Sequence, residues 1–317
     1  MATIQRTGTA LPTARGNKVP LRTKIIRERW MYLFIVPGVL YFLIFNYLPL
    51  LGNVIAFQQY SPFLGFQDSP WVGLDNFRRL FTDPDFKRAL VNTIQIELLQ
   101  LAFSFPAPLL LALLLNSIIS ERIKRSIQSI VYLPHFLSWV IIIALWREVL
   151  GGGGFINDIL RNQGYGTINI MSNPDTFKLL VVSQSMWKDV GWGTIIFLAA
   201  LTKIDTQLYE ASVIDGAGGW RRLLDVTLPG IRSIIVLLLI LRLGSAFTVG
   251  FEQYFLQRDA VGADAAEVLD TFVYFRGIQA GDWGFATAVG MVRSVVGLIL
   301  IVTANWLAKR FGEEGIF

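Results

Sequence analysis

The sequence predicts an all-α, polytopic integral membrane protein with about six transmembrane helices, on three observations. Hydrophobic residues make up 53% of the 317 and charged residues 16%, at a mean hydropathy of +0.52; a soluble domain carries about a quarter charged residues. The shortfall is concentrated in apolar stretches near the ~20 residues that a helix needs to cross the hydrocarbon core. Lys and Arg gather in short segments between alternate stretches, as membrane topology requires. There is no cysteine and a single histidine. Disulfides, thiolate sites and His-cluster metal sites are thereby excluded, and no metal site is expected. The net charge of +5 follows the topology, so no nucleic-acid partner is expected.

Residues 1–29 are polar and basic, with Arg15, Lys18, Arg22, Lys24, Arg27 and Arg29, and read as a disordered cytoplasmic tail. The apolar run that follows is long and lacks a small-residue cleavage pattern, so no cleavable signal peptide is expected. Span one, about 31–57, contains Pro37, Asn46 and Pro49, which a helix bundle tolerates. Residues 58–90 form a loop in which Asp75 and the Asp83-Pro84 pair predict two helix starts. Trp71, Phe77, Leu80, Phe81 and Phe86 are expected on the membrane surface there. Span two, 91–116, is polar at Gln95, Glu97 and Gln100 before turning apolar, with kinks at Pro106 and Pro108. A basic turn, 117–126, leads to span three, 127–147, which holds Pro134 and the lone His135, read as structural. Gly151 to Gly154 give a flexible exit to a polar loop, 155–177. Span four, 178–201, opens on SQSMWKDVGWGT, whose Trp187, Lys188, Asp189 and Trp192 suit lipid poorly. Span five, 231–251, carries Arg242; span six, 286–308, carries Arg293 and Asn305. Between them, 252–285 is rich in acids and aromatics. A short tail, 311–317, closes the chain.

Spans four and five are joined by TQLYEASVIDGAGGWRRLLDVTLP, residues 206–229. Asp205 or Thr206 can cap a first helix. Gly216 allows the positive φ that ends it sharply. Trp220, Leu223 and Leu224 share one side of a second helix, which Pro229 stops. Glu210-Ala211-Ser212, Asp215-Gly216-Ala217 and Leu228-Pro229 resemble the EAA loop of membrane subunits of binding-protein-dependent ABC importers, with Ser212 where the motif has a second Ala. YSPFLGFQDSPWVGLDNF, FSFPAPLLLALLLN and VYLPHFLSWV are similar to the carbohydrate branch, the LplB-like permeases for oligo- and polysaccharides, and to the permeases of alginate importers.

The resemblance covers most of the chain beyond Arg27. It implies a type I ABC importer permease fold over residues 30–310 and a place in the cell inner membrane. It implies a second permease subunit, giving a heterodimer, and two cytoplasmic ATPases that carry ATP and Mg. It also implies an extracytoplasmic solute-binding protein that delivers an oligosaccharide. Glu210, Ala211, Ser212, Asp215, Gly216, Leu228 and Pro229, in the loop 205–230, would then couple the chain to an ATPase. Without the resemblance, the same stretch reads as an interfacial amphipathic helix with no partner.

No Lys is followed by Ser or Thr, so a P-loop cannot occur; if transport is ATP-driven, the nucleotide chemistry lies on another polypeptide. No nucleophile–base pair or carboxylate dyad stands out. No catalytic residues are expected, the chain is not an enzyme, and it binds no cofactor itself. Ionisable groups inside spans normally face an aqueous path or a partner. Glu97, Lys188, Arg242 and Arg293 are therefore substrate-path candidates, with Trp187 and Trp192 as faces for stacking sugars. Internal salt bridging, or snorkelling of Lys188, accounts for them equally well. An Arg-lined path suits a polyuronate such as alginate, whose carboxylates Arg holds bidentately; a neutral oligosaccharide stays open. An ion-coupled carrier would want paired intramembrane acids or an inverted repeat. A membrane scaffold would need neither a path nor an ATPase.

More than half of the 28 Lys and Arg lie in the N-terminal tail, the 117–130 turn, the 203–232 loop and the C-terminus. This places both termini and Glu210 in the cytoplasm. A reporter fused after Asp264 is expected on the outer side, active as alkaline phosphatase and dark as a fluorescent protein. The reverse pattern would refute the topology.

Overall fold

The computed structural model describes residues 27–313, 315 and 316, so the expected basic tail lies almost wholly outside the described residues. The chain divides into two compact units, 1–53 and 54–317. In the first, α1 (Arg29–Phe42) continues into a π-helical turn, Leu43–Tyr47, and neither contains a buried side chain. A surface of that kind, with Phe34 86% exposed, is solvated by lipid or covered by another apolar surface, not by water.

The second unit holds α2 (Asp75–Leu80), α3 (Pro84–Leu99), α4 (Pro106–Asn116), α5 (Glu121–Tyr132), α6 (Trp139–Leu150), α7 (Phe155–Asn162) and α8 (Phe177–Leu201). It continues with α9 (Thr206–Ile214), α10 (Gly219–Arg222), α11 (Arg232–Gly244), α12 (Glu252–Val261), α13 (Leu269–Val273) and α14 (Trp283–Arg310). Among the described residues the one β feature is an isolated bridge between Gln58 and Trp71.

Proline accompanies three of the four π-helical turns among the described residues; the fourth, Tyr274–Gln279, has none after it. Three π-helical turns, Leu43–Tyr47, Gln100–Ser104 and Leu223–Thr227, each end two residues before a proline: Pro49, Pro106 and Pro229. The ring lacks an N–H and crowds the carbonyl one turn back. A widened turn absorbs both effects without ending the helix.

Among the described residues, four helical stretches are long and apolar enough to span a membrane: Arg29–Phe57, Pro84–Asn116, Trp139–Asn162 and Trp283–Arg310. A fifth is Gly219–Gly230 with Arg232–Gly244, bent by 61°, if the pair counts as one span. The expected fourth span is α8. Its 25 residues give it the length, but Gln184, Lys188 and Asp189 dilute its apolar character. Span three is displaced. The helix stops at Tyr132, a 3-10 turn occupies Leu133–Phe136, and Leu137 and Ser138 are extended. A new helix then begins at Trp139, capped by Ser138 Oγ, which accepts from Ile141 N at 3.4 Å. Pro134 is the reason, since it cannot continue the helix of residues 121–132.

Other expectations need correction. Span five ends at Gly244, short of 251. The polar loop 155–177 contains α7, and 252–285 is largely helical. Asp83 caps α3, accepting from Phe86 N at 2.8 Å. Asp75 caps nothing: it lies in the first turn of α2 and pairs with Arg78 at 3.1 Å. Leu80 and Phe86 are not on the membrane surface but buried with Leu269, Phe272 and Phe285. The Gly151 turn is tight rather than loose. A Cβ there would overlap the Arg147 carbonyl oxygen, and Asn157 Nδ2 donates to Gly151 O at 2.8 Å.

Two further clusters complete the packing. Ile143, Phe177, Val181 and Tyr254 bring together α6, α8 and α12. Ala112, Phe197, Ala200, Leu201 and Ile231 join α4, α8 and the start of α11. Ion pairs tie the 75–90 segment to 252–285: Arg88 with Asp264, Arg276 with Asp83 at 3.0 Å, and Arg79 with Asp282 at 2.5 Å.

α5 crosses α8 at buried Gly191, where an added Cβ would overlap the Val131 carbonyl oxygen. Backbone cannot rotate away as a side chain does. Gly191→Ala is expected to cost about 1–3 kcal/mol, read as a lowered unfolding midpoint of the detergent-solubilised protein. An unchanged midpoint would contradict the close crossing.

Candidate functional site

Beyond α8 the chain turns, and Asp205 caps α9 by accepting from Gln207 N at 2.9 Å. No residue of α9 is buried. Glu210 and Ala211 are exposed, and Ser212 Oγ donates to Tyr209 O at 2.7 Å. Gly216 takes φ +77°, a region costly to any residue with a Cβ, while Ala217 N reaches back to Ser212 O at 2.8 Å. α10 and its π-helical turn then lead to Leu228-Pro229-Gly230. The two arms touch where Tyr209 Oη and Thr227 Oγ1 lie 3.0 Å apart.

The outer face of this elbow is apolar and bare: Ile214 is 86% and Trp220 74% exposed, with Leu208, Val213 and Leu224 also exposed. Its stem is packed. Ile231 is buried against Leu201 and Phe197, and a Cβ at Gly230 would meet Ile204 at 3.0 Å. A packed stem thus carries an uncovered apolar head, the kind of patch that marks interaction surfaces.

The second feature is built on the break between α5 and α6, which deprives backbone carbonyls of helical partners. Lys188 of α8 takes them over. Its Nζ lies 2.5 Å from Leu137 O, 2.9 Å from His135 O and 3.5 Å from Pro134 O. Irregular backbone within a membrane bundle persists only where it is buried in protein or lines a water-filled cavity. The break also turns His135 toward α8. There Nδ1 sits 2.9 Å from Asp189 Oδ1, and the ring stacks on Trp192 with centroids 4.6 Å apart and planes within 6°. A cavity of about 500 Å³ opens at this point, lined by His135, Asp189, Trp192, Gln100, Ser104 and Arg242 among others. Arg242 is held from α3 and its π-helical turn: Nη2 is 2.9 Å from Glu97 Oε2 and also donates to Gln100 Oε1. The lining thus offers an aromatic face, an amide, a hydroxyl, an imidazole–carboxylate couple and a guanidinium, a set suited to a hydroxylated or anionic sugar.

Of the six path candidates, Trp192 and Arg242 line this cavity, and Glu97 acts on it through Arg242. Lys188 is committed to carbonyls. Trp187 packs edge-on against Trp146, centroids 6.3 Å apart. Arg293 pairs with Asp270, which also accepts from Gly250 N at 3.2 Å, and faces a separate cavity of about 290 Å³. Sequence reasoning missed His135 as a cavity residue, along with Gln100, Ser104 and Asp189. The signal was the polar run of span four together with a proline inside span three. A larger cavity, about 940 Å³, lies between residues 58–64 and the start of α14. Its guanidinium, Arg79, is closed onto Asp282 at 2.5 and 3.3 Å.

Residues 104–313 match the family described as binding-protein-dependent transport system inner membrane component. The chain is 46% identical to the protein LplB of Bacillus subtilis (strain 168) over 318 residues, covering 100% of both. It is 48% identical to YteP of the same organism, the polygalacturonan/rhamnogalacturonan transport system permease protein, covering 94% of this chain and 93% of that one. Among solved structures it is similar to a chain of a bacterial alginate ABC transporter, crystallised with its alginate pentasaccharide-bound periplasmic protein. That match has a TM-score of 0.85 and 35% identity, over 93% of this chain and 99% of the other. The chain therefore belongs to the binding-protein-dependent transport system inner membrane component family, as a non-catalytic permease subunit of an ABC transporter whose ATPase is a separate subunit.

Proposed function

We propose that this permease forms half of the translocation path for an anionic oligo- or polysaccharide of polyuronate type. Residues 205–230 are the elbow through which a cytoplasmic ATPase drives it. The observation that carries the reading is the lysine-capped helix break opening onto a cavity that holds Trp192 and Arg242. Arg presents five N–H donors, and Glu97 and Gln100 engage only Nη2, so donors are left for a uronate carboxylate. Relatives that transport polygalacturonan and alginate point the same way. A neutral oligosaccharide is the second reading, favoured by the neutralisation of Arg242 by Glu97.

In this reading a second permease, two ATPases with ATP and Mg, and an extracytoplasmic solute-binding protein complete the importer. Both termini are cytoplasmic, in the inner membrane. Residues 30–310 form the permease domain, with short cytoplasmic tails on either side. Glu210, Ala211, Ser212, Asp215, Gly216, Leu228 and Pro229 shape or present the elbow. Its bare apolar head, Ile214 and Trp220, enters the ATPase cleft.

Two outcomes test this. The chain has no cysteine, so Val213→Cys supplies a single cross-linking handle. It is expected to link to the ATPase in the whole complex, while Glu210→Lys and Gly216→Pro assemble yet hydrolyse ATP without uptake. Normal uptake by both would end the coupling reading. For the path, Trp192→Ala is expected to raise the half-saturating concentration of a uronate oligosaccharide roughly tenfold, the scale of ~1.4 kcal/mol. Arg242→Gln should do so for uronate but not for a neutral oligosaccharide. Equal effects on both sugars would favour the neutral substrate.

A further inference from the structure

The C-terminal end of α14 is anchored against the base of the elbow. α14 closes in a Schellman motif: Glu313 N donates to Ala308 O at 3.0 Å, Gly312 N to Lys309 O at 3.1 Å, and Gly312 adopts φ +80°. That turn reverses the chain through the left-handed residue only glycine adopts cheaply. It brings the Glu313 side chain onto the first residues of α11. One carboxylate oxygen lies 2.7 Å from Arg232 Nε, and the other accepts from Ser233 Oγ at 3.2 Å. The Glu313 side chain is only 10% exposed. Ile316 is fastened too: its N donates to Asn305 Oδ1 at 2.6 Å.

Arg232 and Ser233 are the first residues after the 61° bend that separates the elbow from α11. A carboxylate at a helix N-terminus is favoured by the helix dipole as well as by its ion pair. Farther along, α11 and α14 approach closely, because a Cβ at Gly297 would lie 3.0 Å from Gly244 O. Glu313 therefore joins the end of one long helix to the start of another at the point where elbow movement must be converted into helix movement.

We propose that Glu313, through Arg232, is a positioning residue for coupling: it fixes α14 to the elbow's exit so that the two move together. This rests on the coupling reading above. Without the pair, α11 can pivot at Gly230 while α14 stays behind, and ATP hydrolysis is partly wasted.

The test uses the whole importer in proteoliposomes, with a uronate tetrasaccharide as probe, reading both uptake and ATP hydrolysis per assembled complex. Glu313→Gln and Arg232→Gln are each expected to lower sugar imported per ATP about three- to tenfold, the scale of losing one partner of a half-buried ion pair. Hydrolysis itself should change less than about twofold. The charge-exchanged double variant, Glu313→Arg with Arg232→Glu, is expected to recover most of the ratio. Unchanged ratios in both single variants, or a loss that the exchange does not repair, would overturn the proposal. Glu210→Lys run alongside separates the layers. If it uncouples while Glu313→Gln does not, only this inference falls; if it stays coupled, the elbow reading falls first.

Discussion

One ammonium group holds the interior together. A helix broken inside a bundle exposes carbonyls that hydrocarbon cannot satisfy, each at a cost of several kcal/mol unless a protein donor or water reaches it. Lys188 meets this demand at the 134–137 break for His135 and Leu137, whose carbonyl oxygens lie 2.9 and 2.5 Å from Nζ, while Pro134 O also accepts from Leu137 N at 3.1 Å. With those carbonyls satisfied, the break can persist. His135 can then leave the helix line, stack on Trp192 and meet Asp189, and the space vacated becomes the cavity. Remove the charge and the carbonyls of His135 and Leu137 lose their donor. The partial burial of a lysine is offset by making irregular backbone possible beside the cavity.

Much of this was legible in the sequence, and what was legible was local. Gly216 at positive φ, Asp205 as a cap, Asp83 as a cap and prolines that distort helices all follow from side chains acting within a turn of themselves. Long apolar runs gave spans one, two and six directly. What could not be read depends on partners far apart in sequence. Arg242 meets Glu97 across 145 positions, Arg79 meets Asp282 across 203, and Arg276 meets Asp83 across 193. Phe86 and Leu80 look like interfacial aromatics and aliphatics until Phe272 and Phe285 are seen to cover them. The break was missed for a different reason. Pro134 sits in a run apolar on both sides, so hydropathy drew one continuous span. Only the opposing Lys188, carried by a helix too polar for lipid, betrays that carbonyls there need a donor.

The two candidate features share a helix. α8 carries Lys188, Asp189 and Trp192 near its middle and Phe197, Ala200 and Leu201 at its end, where they pack on Ile231 beneath the elbow. At 1.5 Å per residue its 25 residues reach about 37 Å, without a proline to soften it. A push on the proposed elbow is therefore delivered to an unbroken rod whose middle, Ser185 to Phe197, forms one side of the cavity. Compliance lies beside the rod, not in it: the π-helical turns before Pro106 and Pro229, the bend at Gly230, and the lysine-held break. Close-packed interfaces shift between discrete arrangements rather than deform smoothly. An element that must move as a unit is best kept free of such soft points, and an element that must yield is best given one. The proline positions observe that division, and this ties the cavity's shape to the elbow's position without requiring any change inside α8 itself.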